Sequence, residues 1–154
     1  MMTDPFSNLM NSTTLTRLLE ENVPALVLYA RQWTDPFAED VVQEAFLRLL
    51  RENPPPRSPK AWLYRVVRNL AIDHSRHDNR TTSLAGHDWF ENADDSTETT
   101  ELLQKLSDDV REIVVSKIWG DLTFREIAEL TGRPISSVHY DYQQGIAQLR
   151  EFLQ

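Results

Sequence analysis

Residues 123–145, TFREIAELTGRPISSVHYDYQQG, decide how the C-terminal part of this chain folds. Thr123 and Glu126 have the spacing of a capping box, and Leu122 with Ile127 can form a hydrophobic staple beside it. A short helix follows, Gly132 ends it, and Ser136 is placed to cap the next one. Ile127, Ala128 and Leu130 then turn inward together with Val138, Tyr142, Ile146 and Leu149. Two helices joined by a glycine turn, with the second offering its first turns outward, predict a helix-turn-helix, the arrangement that enters the major groove of DNA. An αα-hairpin used only for packing is the competing reading. Small Ala128 four residues before Gly132, and the Pro134-Ile135 turn, favour the DNA-binding one.

A second informative stretch is AWLYRVVRNLAIDHSRH, residues 61–77. Wound at about 100° per residue, it places Leu63, Val66, Val67, Leu70 and His74 on one side. Arg65, Arg68, Asn69, Ile72 and Arg76 fall on the other, with Trp62 and Tyr64 at the margins. One face is made for burial. The opposite face suits phosphates and bases, because arginines track phosphates, aromatic rings stack on bases, and an amide both donates and accepts at a base edge.

Elsewhere the pattern is also helical. Residues 1–13 are polar and read as a frayed start. A helix is expected near Thr14, with Pro24 starting or kinking the next, and another from about Ala38 to Arg51 after the Asp35-Pro36 turn. ENPPPRSP, residues 52–59, forbids helix and reads as a stiff connector to the 61–77 helix, which should end near His77. Residues 78–101 are polar, acidic and rich in Thr, which suggests a linker in which Trp89 and Phe90 could dock. Three helices should follow, the first capped by Ser107 and closed by Gly120. Neither a strand pattern nor a repeat is visible. The fold class is all-α, in two small domains: 14–80 and 102–154, joined by an acidic linker over 81–101.

The bulk composition is compatible. The 154 residues are 40% apolar and contain no cysteine, so disulfides and thiolate chemistry are excluded. No basic-then-apolar signal segment opens the chain, and no run approaches the roughly 18 apolar residues of a membrane span. A cytoplasmic protein without membrane association is expected. The formal charge is -8, but residues 1–80 hold ten cations and ten carboxylates, so the acidic excess lies wholly in residues 81–154. Within 57–80 there are six cations against two carboxylates. An acidic chain with a basic segment does not exclude a nucleic-acid partner.

Three stretches, AEDVVQEAFLRLLR, AWLYRVVRNLAIDHSR and REIVVSKIWGDLTFREIAELTGRPISSV, stand in an order that resembles bacterial sigma-70-family initiation factors of the extracytoplasmic-function group. The resemblance covers most of the chain, 14–80 and 101–154. It implies a region 2-like domain that binds core RNA polymerase and the -10 promoter element, and a region 4-like domain that reads the -35 element. Core polymerase, through its largest-subunit clamp coiled coil and its flap, promoter DNA, and an anti-sigma factor are the partners that follow from it. No cofactor, metal or enzymatic activity is expected.

In the 38–51 helix, Val42, Ala45, Phe46 and Leu49 make the buried stripe, while Asp40, Gln43, Glu44, Leu47 and Arg51 share the opposite face. A leucine among exposed charges is poor packing but a good interface anchor. Asp40, Gln43 and Glu44 match the family's polymerase-binding motif. Trp62, Arg65, Arg68, Asn69, Asp73 and Arg76 match the -10 segment, with Tyr64 beside them. For -35 recognition the candidates are Arg125, Arg133, Ser136, Ser137, His139, Tyr140, Gln143 and Gln144. This domain departs from the family: its recognition helix carries Arg150 alone as a basic side chain, and Asp141 stands where the family tends to place a cation and should repel phosphate. A sigma-like adaptor that binds polymerase or a regulator without reading -35 is the alternative. A metal hydrolase built on His74 and His77 is remote, since no third ligand is near and the acids of HDWFENADD lack metal-loop spacing. Phosphorylation of the STETTE tract, residues 96–101, is less favoured than a solvated linker.

Overall fold

In the computed structural model, residues 12–81 and 97–154 are described. Most of the frayed start and of the linker, including Trp89, Phe90 and the HDWFENADD acids, lies outside the described residues. The chain divides into two compact units, Met1–Thr81 and Thr82–Gln154. Every described element is a helix or a turn.

Unit one contains α1 (Ser12–Ala30), α2 (Ala38–Arg51) and α3 (Pro59–Thr81). A proline inside a helix removes one backbone bond and crowds the carbonyl four residues earlier, which is why a break was expected at Pro24. The structure keeps a single helix through it. Asn22 is buried before Pro24 and Ala25, Leu26, Tyr29 and Ala30 after it, so packing on both sides outweighs the local penalty. Pro24 itself faces outward.

Helix α2 buries Ala38, Val41, Val42, Ala45, Phe46 and Leu49. Glu39 and Asp40 occupy its first turn and Arg48 and Arg51 its last, each sign at the end where the helix dipole favours it. The connector spans residues 52–58. Pro59 then opens α3, a position where its missing N–H costs nothing, and the Ser58 hydroxyl accepts from the Ala61 amide at 3.4 Å. Helix α3 continues to Thr81, past His77. The three helices meet around Leu26, Tyr29, Val41, Ala45, Leu49, Leu63, Tyr64 and Val67.

Unit two contains α4 (Thr97–Gln104), α5 (Asp108–Ile118), α6 (Phe124–Thr131) and α7 (Ile135–Leu153). Helix α4 corrects the expectation of three helices and a linker to residue 101. It is short and acidic, and its end is closed from outside. The half-buried Arg111 guanidinium donates to the Leu103 carbonyl at 3.1 Å, the Leu106 carbonyl at 2.9 Å and Asp108 Oδ1 at 3.2 Å. Desolvation lowers the Arg111 pKa and the Asp108 charge opposes that shift. Leu103, Leu106, Ile113, Val114, Val115, Leu122, Ile127 and Val138 form the core.

Ser107 does sit at the α5 N-cap, but its side chain makes no capping bond. Gly120 is not the left-handed residue after α5; that conformation belongs to Asp121, at φ 52. Asp tolerates it better than most side chains. Helix α7 begins two residues earlier than expected, with Pro134 at its N-cap and Ser136 inside the first turn. Proline fits there because its fixed φ suits a helix start and no amide is lost from the ladder.

Gly145 lies where α7 crosses α5. A Cβ at this position would sit 2.7 Å from Val114 Cγ2 and 2.8 Å from Val110 Cγ1. Valine in a helix has essentially one χ1 well, so neither methyl can swing away. Gly145→Ala gains up to about 1 kcal/mol of helix propensity but overpacks the crossing at a cost of about 1–3 kcal/mol. A net loss of stability is expected, read as a lower denaturation midpoint of unit two in chemical unfolding.

Candidate functional site

The outward face of α2 presents Asp40, Gln43, Leu47 and Arg51, all exposed, with Glu44 partly so. Leu47 is 42% exposed, whereas on the same helix Leu49 is sealed and Leu50 half-buried. Glu44 accepts from Arg48 Nε at 3.2 Å, a surface pair that orients the carboxylate but contributes little stability. The result is an apolar spot ringed by charges.

On α3, Arg65, Asn69, Asp73 and Arg76 are exposed. Their spacing of four, four and three residues lines them along one stripe of the helix. Trp62 is half-buried near its start. Arg68 is half-buried as well, with its guanidinium carbon 5.7 Å from the Trp33 ring centroid. The candidate set is thus largely brought together, with one exception.

Tyr64 is the exception. It is 0% exposed and packs against the equally sealed Tyr29, ring centroids 4.9 Å apart. It cannot stack on a base. The buried stripe of α3 is Leu63, Tyr64, Val67 and Ala71, rotated from the expected one, so His74 points outward and stacks on Phe37 at 5.6 Å. The reason is a neighbour: α1 offers the buried Tyr29 ring to Tyr64, and two rings bury more apolar area than a histidine would. The Tyr64 hydroxyl has no hydrogen-bond partner, and burial raises the phenol pKa well above its usual range.

In unit two the turn is built as the sequence implies. The Thr123 amide donates to Glu126 Oε1 at 2.9 Å and the Glu126 amide to Thr123 Oγ1 at 3.0 Å, completing the capping box. Gly132 takes φ 71, a left-handed conformation that favours glycine, and its amide closes α6 on the Ala128 carbonyl at 2.9 Å. On α7, Ser136, His139, Tyr140, Gln143 and Gln144 are exposed and Ser137 partly so; Arg125 is exposed on α6. Tyr140, at 62%, is the most open ring among the large described aromatics.

Two features here were not legible beforehand. Arg133 is not an open phosphate ligand: it is ion-paired with Asp141, at 30% and 18% side-chain exposure. Asp141 is accordingly not a bare repulsive charge. Phe124, absent from every candidate set, centres a cluster. Its ring meets His139 at 3.9 Å and Tyr142 at 5.3 Å, with Lys117 Nζ 4.6 Å away. No periodicity signals such a cluster, because its members come from three helices. Among the described residues no group of three or more His, Asp or Glu could hold a metal ion, and no helix is long and apolar enough to cross a membrane.

Residues 18–81 match sigma-70 region 2 and residues 96–149 match sigma-70 region 4. The chain belongs to the sigma-70 family, in its extracytoplasmic-function group. It is 29% identical over 140 residues to the sigma factor SigW of Bacillus subtilis, covering 75% of each chain. SigC of Mycobacterium tuberculosis is 29% identical over 115 residues, covering 66% of this chain and 62% of that one. An uncharacterised protein of Rhizobium meliloti is 40% identical over 74 residues, but the chain spans only 17% of its length. Among solved structures, the sigma factor RpoE in complex with the anti-sigma factor NepR from Bartonella quintana aligns with TM-score 0.71 at 22% identity, over 93% of this chain and 98% of that one. CnrH in complex with the cytosolic domain of CnrY aligns at 0.61 and 23%, over 93% and 89%. Both support the fold.

Within this region 2 unit, Tyr64 belongs to the scaffold. Tyr64→Phe removes a buried hydroxyl that has no partner, so it should leave stability unchanged or raise it by about 1 kcal/mol. Chemical denaturation checks this, and a clear loss would mean that the hydroxyl is bonded in solution.

Proposed function

We propose that this chain binds core RNA polymerase through the outward face of α2 and directs promoter-specific transcription initiation. In this reading the α3 stripe engages the -10 element and helps to open it, while α6 and α7 address the -35 element. The observation that carries the reading is the collinear pair of family matches, region 2 over residues 18–81 and region 4 over residues 96–149. A lone helix-turn-helix would not carry it.

The surfaces described above agree with these roles. Leu47, apolar within a charged ring, has the layout of an interface hot spot, in which a desolvated centre is shielded by a polar rim. Arg65 and Arg76 can follow a phosphate backbone, and exposed Asn69 can donate to and accept from the pairing edge of an extruded base. Trp62 is half-buried, so part of its ring surface remains accessible to a base. The chain supplies no covalent chemistry in this reading. An anti-sigma factor is a further partner, supported by the similar solved structure of RpoE in complex with the anti-sigma factor NepR.

The -35 surface works differently from a basic recognition helix. With Arg133 held by Asp141, the α7 face offers hydroxyls, amides and Tyr140 in place of a phosphate clamp. Such groups can specify bases but add little salt-dependent affinity. Tethering through polymerase and the -10 contacts raises the effective concentration of this unit at DNA, so weak local binding suffices.

Promoter-dependent transcription with purified core polymerase, on promoters mapped after overexpression, tests the reading directly. Leu47→Ala should weaken core binding by about 1–2 kcal/mol without loss of helicity. Unchanged core affinity in a folded Leu47→Ala, Asp40→Lys double variant would remove α2 from the interface. Asp141→Asn should release Arg133 toward phosphate and steepen the salt dependence of -35 binding by roughly 0.9 in log–log slope. An unaltered slope would mean that this side of α7 is turned away from DNA.

A further inference from the structure

Arg65 and Arg76 on α3 are exposed, whereas Arg68 between them is half-buried. One group beside Arg68 comes from outside α3. Its guanidinium carbon lies 5.7 Å from the centroid of the Trp33 ring, which belongs to the turn between α1 and α2. The distance is that of a cation held over an aromatic face.

Trp33 is itself fixed. Its ring meets Tyr29 edge-on, with centroids 5.0 Å apart and an interplanar angle of 80°. Tyr29 is sealed in the core and touches Tyr64 of α3. The Trp33 and Thr34 amides both donate to the Ala30 carbonyl at 3.1 Å, and Arg31 pairs with Asp35 at 3.4 Å across the same turn. A line of rings, Tyr64, Tyr29, Trp33, therefore runs from the buried side of α3 back to an arginine beside Asn69.

An arginine side chain has several rotatable bonds, and ordering it on binding opposes the contact it makes. A platform that orders it beforehand removes that opposition. We propose that Trp33 is a positioning residue for promoter binding: its ring holds Arg68, ordered before binding, for a phosphate of the unpaired -10 strand beside Asn69. The inference rests on the reading of α3 as the -10 surface. It assigns a role to a turn that carries no part of the α3 motif. The chemistry needs only the ring face and the cation, so phenylalanine should substitute in part and leucine should not.

The test uses holoenzyme assembled from core RNA polymerase and the full chain, titrated over a salt series onto a promoter duplex with a pre-melted -10 bubble. Arg68→Ala should weaken binding and reduce the log–log salt slope by roughly 0.7, one single-strand phosphate. Trp33→Leu should weaken it by about 2–5-fold and Trp33→Phe by about twofold or less, with core polymerase affinity unchanged. In the Arg68→Ala background neither Trp33 variant should matter further, a coupling that a purely structural tryptophan would not produce. If Arg68→Ala binds as well as the unaltered chain, the -10 reading of Arg68 falls and this inference with it. If Arg68→Ala weakens binding but the Trp33 effect is absent, or equal in both backgrounds, the positioning role is overturned and the -10 reading stands. Should Trp33→Leu melt early, the same cycle with Trp33→Phe decides between these outcomes.

Discussion

The contact of Tyr29 with Tyr64 is the interaction on which the region 2 surface depends. A helix has one circumference to divide between core and solvent, so whatever is buried dictates what is shown. With both tyrosines at 0% exposure, α3 is locked in rotation against α1. Arg65, Asn69, Asp73 and Arg76 are then outward together. A different buried stripe, such as one centred on Leu63, Val66 and Leu70, would turn His74 inward. It would also shift Arg65 and Arg76 relative to Asn69. The aromatic pair tolerates an unpartnered phenol hydroxyl, a cost that the buried area of two rings offsets.

The same division of a circumference governs α2, with less tension. Six inward side chains there are aliphatic or aromatic, and the outward face is charged apart from Gln43 and Leu47. Nothing in unit one requires Leu47 to be apolar. In the proposed reading, this exposed leucine flanked by Gln43, Glu44 and Arg51 serves as a contact for core polymerase.

Charge explains the contrast between the units. Unit one is balanced, and its basic segment is concentrated in and just before α3. Unit two carries the acidic excess, and its helix-turn-helix is assembled from local devices: the Thr123–Glu126 capping box, the left-handed Gly132 and the Phe124 cluster. The Arg133–Asp141 pair removes one cation and one anion from the exposed surface of the helix-turn-helix at once. In the proposed -35 role, so weakly charged a face suits contacts that choose bases and is unsuited to holding DNA alone.

Local chemistry determined much of this protein from its sequence. The proline run ends α2 and admits α3, the Thr123–Glu126 spacing starts α6, Gly132 stops it, and the 38–51 periodicity identifies the buried side of α2. Each signal acts within a few residues, so it survives without knowledge of neighbours. Helical periodicity placed Asp40, Leu47, Arg65 and Asn69 on outward faces for the same reason. Tertiary structure decided the rest, because the deciding partners are distant in sequence. Pro24 stays helical because both flanks are buried, and α4 is closed by Arg111 from the next helix. Tyr64 goes to the core because Tyr29 awaits it, and Arg133 is neutralised by a residue eight positions on. Trp33 and Arg68 meet across thirty-five residues of chain. Periodicity defines a helix face only to within about one residue's 100° step, and the packed neighbour chooses the final rotation.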